Sequence, residues 1–125
     1  MISTQISRAS AGFLLIGGLA LLFASDEILP RIVPAFPAAG SWIGQLVGAG
    51  WLALAALNWL SRSTLLGGIY GRPLLLANLS LYFISATVLL KVSTGGDAAA
   101  GLWFVAFAVA LFAGVYGVLL FRGPA

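Results

Sequence analysis

The side chains that could do chemistry are few and sparsely placed. The chain has no Cys and no His. That removes thiolate nucleophiles, disulfides, the commonest metal ligand and the commonest general base. The only carboxylates are Asp26, Glu27 and Asp97. Asp26 and Glu27 are adjacent, so on a helix they diverge by about 100° and do not converge on one proton. Ser and Thr hydroxyls lack a neighbouring base to activate them. These residues predict a protein that is not an enzyme, with no catalytic group, no metal site and no bound cofactor.

The remaining polar side chains fall inside apolar stretches, where each needs a reason. Asn78, Tyr82 and Ser85 recur at i, i+4 and i+7 and so share one helix face. Asn58 stands near the end of the preceding apolar run and Asn78 near the start of its own, which puts them at similar depth. An amide left unpaired in hydrocarbon is costly. Asn58 and Asn78 are therefore expected to hydrogen-bond across a helix interface, with Tyr82 nearby. The alternative is that Gln45, Asn58, Asn78 and Tyr82 line a polar cavity for a small solute.

The elements that hold these residues are set by composition. Only 7% of the residues are charged and 62% are hydrophobic, with a mean hydropathy of +1.11. A soluble domain carries about 25% charged residues. Uncharged apolar runs cover residues 9–25, 42–60, 73–90 and 98–121, in or close to the range of about 17–25 that crosses a bilayer core. The expected fold is an all-α membrane protein, a four-transmembrane-helix bundle forming one domain over residues 1–125. Arg8 followed by an apolar stretch imitates a signal peptide, but the first run is read as a retained helix that Asp26 and Glu27 terminate. Pro30, Pro34 and Pro37 then predict an extended connection. Gly67, Gly68 and Gly71 break the second connection, and Lys91–Asp97 reads as a tight turn.

Orientation follows from the basic residues. Arg8, Arg62, Arg72 and Arg122 fall on one side of such a bundle; Arg31 and Lys91 fall on the other, with all three acids. The positive-inside rule then gives both termini cytoplasmic (N-in, C-in), and a bacterial plasma (inner) membrane is the expected location. Trp42 and Trp103 sit at the outer boundary, with Trp59 and Tyr70 at the inner one, as interfacial belts require. Trp51 and Tyr82 are mid-span and need partners inside the protein.

Helices in lipid pack through small residues. Gly44 and Gly48 form a G-x-x-x-G that continues on one face through Trp51, Ala55 and Asn58. Trp103, Ala106, Ala110, Ala113 and Gly117 make a similar stripe in the fourth span, and Gly17, Ala20 and Ala24 one in the first. These stripes serve packing within the bundle or contact with other chains. Arg62 and Arg72 bracket the second connection and are suited to a lipid phosphate, though topology alone accounts for such arginines.

In size and span number the chain resembles small multidrug-resistance transporters and small fluoride channels. The former rely on a glutamate inside span one, where this chain has none before Glu27. The latter's pore pattern is not matched by Asn78 and Phe83 alone, so no functional residue carries over. Six basic residues are too few for a nucleic-acid footprint. The expected partners are the bilayer and other transmembrane helices, in a hetero-complex or a homo-oligomer. The expected function is that of a non-catalytic accessory or assembly subunit. The alternative is a small transporter or channel for a neutral or small solute.

Overall fold

The computed structural model describes residues 2–33, 36–96 and 100–122. Its described residues form four long helices: α1 (Ile2–Ile32), α2 (Ser41–Leu60), α3 (Arg72–Thr94) and α4 (Ala100–Arg122). A single 3-10 turn, Ala38–Gly40, leads into α2. All four are long and apolar enough to cross a membrane. Pro73 sits in the first turn of α3, where its missing N–H has no helical partner to lose.

The first helix departs from expectation at both ends. It begins at Ile2, well ahead of residue 9, and it runs past Asp26, Glu27 and Pro30 to Ile32. The acids do not terminate it. Instead Ala24 leaves helical geometry (φ −132°, ψ 25°), and a second short helical segment starts at Ser25. Asp26 and Glu27 thereby occupy a first turn, where the helix dipole favours negative charge. The Ser25 hydroxyl bonds back to the Leu21 carbonyl across the bend. Pro30 is tolerated in so short a segment because it removes one hydrogen bond near a helix end. Pro34 lies outside the described residues, so the extended connection is described only at Phe36 and Pro37. The expected turn over Lys91–Asp97 is also shortened: α3 continues through Thr94 and is capped at Gly95, while Asp97 lies outside the described residues.

Packing is uneven. The helices pair as two hairpins, α1 on α2 and α3 on α4, and the two hairpins meet along a thinner seam. Glycine makes the first hairpin tight. A Cβ at Gly48 would stand 2.8 Å from the Gly18 carbonyl oxygen, and one at Gly17 would stand 2.5 Å from the Trp51 ring. Gly44 and Gly48 are thus buried against α1. Between α2 and α3 the chain is tied back to the N-terminus, since Leu66 is fully buried and its N–H donates to the Ser3 hydroxyl at 3.1 Å.

The fourth helix presents a different face from the one expected. Leu102, Ala106, Val109, Tyr116 and Leu119 are its buried residues, so of the small-residue stripe only Ala106 is buried. Ala110, Ala113 and Gly117 instead line an open groove beside α3. Ala110 and Ala113 are partly buried against the core, and the large side chains of Val109, Tyr116 and Leu119 take the buried positions.

Candidate functional site

A cluster of neutral polar side chains draws on both hairpins near the end of the bundle where α1 starts and α2 ends. Asn58 and Asn78 face each other as a reciprocal amide pair. Asn58 Nδ2 donates to Asn78 Oδ1 at 2.8 Å, and Asn78 Nδ2 donates to Asn58 Oδ1 at 2.7 Å. The second hydrogen of Asn58 Nδ2 goes to Ser10 Oγ at 3.0 Å. That of Asn78 goes to the Leu74 carbonyl, one turn back, at 2.9 Å. All four amide hydrogens are therefore used.

Ser10 joins α1 to this pair. Its Oγ lies 2.6 Å from the Tyr82 hydroxyl and 3.3 Å from Asn78 Oδ1. When Tyr82 donates to Ser10, Ser10 accepts twice and donates once, to Asn78; its capacity is then full. Ser10, Asn58 and Asn78 are wholly buried and Tyr82 is 1% exposed. The pairing also fixes topology. Ser10 near the start of α1 meets Asn58 near the end of α2 and Asn78 near the start of α3, so consecutive helices run antiparallel.

Aromatic rings seal the cluster. Tyr82 stacks on Phe112 (centroids 4.9 Å apart) and on Tyr116 (5.8 Å). Phe13 bridges to Phe112 at 5.2 Å and to Trp51 at 5.6 Å. Stacked and tilted contacts at these separations add to the area they bury. The Tyr116 hydroxyl and the Ser7 hydroxyl are buried, and neither has a hydrogen-bond partner among the described residues.

Sequence reasoning placed Asn58, Asn78 and Tyr82, which come together, but it missed Ser10. Ser3, Ser7 and Ser10 recur at i, i+4 and i+7 and are all fully buried; that spacing was the available signal. Phe13, Phe112 and Tyr116 were missed as well. Ser85 is half-buried and stays outside the cluster. Gln45 is exposed and reaches only the Leu22 carbonyl, at 3.5 Å, so it does not share a site with the asparagines. Arg62 caps α2, donating from Nη1 to the Trp59 carbonyl at 2.7 Å. Its guanidinium lies 4.4 Å from the Trp59 ring centroid. Arg72 is exposed at the start of α3.

No family model, curated protein or solved structure matches this chain. The chemistry on offer is that of the cluster itself. It holds no carboxylate, amine or imidazole, and its amides bond to one another, so it offers an incoming molecule no free amide donor. Among the described residues no group of three or more metal-ligating side chains converges. What the arrangement does is join α1, α2 and α3 at one level, with α4 stacked against it through Tyr116.

Proposed function

We propose that this chain is a four-span integral membrane protein with both termini cytoplasmic, acting without catalysis as an accessory or assembly subunit that packs against partner transmembrane helices. The observation that carries this reading is the contrast between inside and outside. The Ser10, Asn58, Asn78 and Tyr82 side chains are closed on one another, with the fully buried Tyr116 ring stacked on Tyr82. The outer face of α4 is apolar and grooved on both flanks. One groove of about 730 Å³ lies against α3 and one of about 610 Å³ against the start of α1. Ala110 and Gly114 border both, which leaves a ridge low enough for another helix to approach closely.

The orientation rests on Arg8, Arg62, Arg72 and Arg122 sharing one end of the antiparallel bundle, and a bacterial plasma membrane is the setting we propose. Because the chain has no Cys, a single cysteine at exposed Ser63 can be probed with an impermeant maleimide; labelling is expected from the cytoplasmic side only. The role is tested by gentle detergent extraction from the native membrane and identification of what co-purifies. A stoichiometric larger assembly is expected. A homodimer that exchanges a neutral solute in liposomes would overturn the reading.

A further inference from the structure

We propose that the groove between α1 and α2 binds one anionic phospholipid, its phosphate held by Arg8 and Arg62 and an acyl chain lying along the groove. The groove has a volume of about 400 Å³ and is lined by Arg8, Gly12, Leu15, Leu52, Ala56 and Trp59 among others. Arg8 is its only charged lining residue and stands at one end. Ser10 meets Asn58, so Arg8, two residues earlier, lies level with the end of α2. Both walls then run inward for seven residues, Arg8 to Leu15 and Trp59 back to Leu52, about 10 Å on each side. A charged mouth therefore opens onto an apolar trough that leads away from the helix ends.

A second arginine stands at that mouth. Trp59 forms part of the wall, and Arg62 lies over its ring. One Arg62 N–H is committed to the Trp59 carbonyl, which leaves the rest of the fork for an anion. Arg8 is exposed and its guanidinium has no hydrogen bond or ion pair among the described residues. One guanidinium over the indole and a second on the lining of the same groove suit a phosphate carried at the level of the headgroups. The other large grooves lack this pairing: the one against α3 has no charged lining residue, and the one against α1 is lined by Arg122 with no aromatic side chain.

This site requires membrane residence but not the accessory role. The full chain would be reconstituted in phosphatidylcholine vesicles and titrated with phosphatidylglycerol bearing brominated acyl chains, with tryptophan quenching as the readout and brominated phosphatidylcholine as reference. A preference of about 25-fold for the anionic lipid is expected, about fivefold from each arginine. Arg8→Gln and Arg62→Gln should each lower it about fivefold, the effect of one basic group near a charged surface. Arg31→Gln, at the opposite end, should leave it unchanged. Gly12→Leu fills the trough from a position with open space around it, and should reduce quenching by either lipid with both arginines intact. Equal quenching by the two lipids, a preference that survives the double arginine variant, or the same loss in Arg31→Gln would overturn the proposal. Displacement by inorganic phosphate would do so too, by reassigning the arginines to a soluble anion. A chain that fails to enter vesicles would instead overturn the membrane reading.

Discussion

The Asn58–Asn78 pair permits a quantitative test through a double-mutant cycle with leucine, which keeps the branching and the number of side-chain heavy atoms. Asn58→Leu removes three hydrogen bonds, those at 2.8, 2.7 and 3.0 Å. Asn78→Leu removes the same two reciprocal bonds, the one to Leu74 at 2.9 Å and the one accepted from Ser10 at 3.3 Å. Side-chain hydrogen bonds between helices in membrane proteins average about 0.6 kcal/mol, so each single variant should lose about 2 kcal/mol. The sum of the singles counts the two shared bonds twice. The double variant should therefore be less destabilised than that sum by at least about 1 kcal/mol.

The coupling should exceed this lower bound, because each single variant also strands a buried amide. Removing one partner imposes a desolvation penalty that removing both relieves. The measurement is reversible unfolding of the four proteins in mixed micelles across a range of denaturing detergent, followed by helical circular dichroism. Independent sites add to within about 0.5 kcal/mol. Additivity at that level would refute the pairing, whatever the size of the single losses.

Two tyrosines make a sharper contrast than either alone. Tyr82→Phe should lose about 1 kcal/mol with its bond to Ser10, whereas Tyr116→Phe removes a buried hydroxyl without a partner among the described residues and should be neutral or stabilising in the same unfolding assay. Gly48→Ala places a Cβ against the Gly18 carbonyl, a backbone atom that cannot rotate away, and should cost about 1–3 kcal/mol. Gly50→Ala, two residues on with open space around it, should gain up to about 1 kcal/mol in helix propensity. Ser3→Ala would leave the Leu66 N–H without its acceptor, at a cost of about 1–3 kcal/mol, and amide exchange at Leu66 should quicken.

How far the fold was legible follows from the physics of each signal. Charge is excluded from hydrocarbon almost without exception, so the four apolar runs located four helices and a residue count gave Asn58 and Asn78 their common depth. The α2 face from Gly44 to Asn58 was readable because small residues mark a close approach, and its buried residues are Gly44, Gly48, Ala55 and Asn58. The same rule failed in α4. There Val109, Tyr116 and Leu119 are buried, while Ala110 and Ala113 are only partly buried against the core. Ser10 was passed over because serine is common at a span's edge; only its recurrence with Ser3 and Ser7 on one helix face marked it. The bend at Ala24 was not readable at all, since alanine is the best helix former, and the acids that follow read as a terminus although the helix runs on through them.

The α1–α2 hairpin and the seam between the hairpins hold their registers by different means, and each means suits its surroundings. Long apolar helices can slide past one another with little change in hydrophobic burial, so register must come from contacts that exist at one offset only. Within the α1–α2 hairpin that contact is steric. Gly18 against Gly48 and Gly17 against Trp51 admit no larger residue, and a slip of one turn would drive a leucine into backbone. Across the seam no such close approach exists, and rings of several sizes could repack. The reciprocal amide pair supplies what the seam lacks, because its two bonds close only when Asn58 and Asn78 are level. Leucine at both positions could match it in stability and still permit more than one offset, as buried polar pairs elsewhere trade energy for registry. The double leucine variant should then show near-native helix content with broadened, multiple side-chain signals. A single sharp conformer would mean that the aromatic rings alone set the seam.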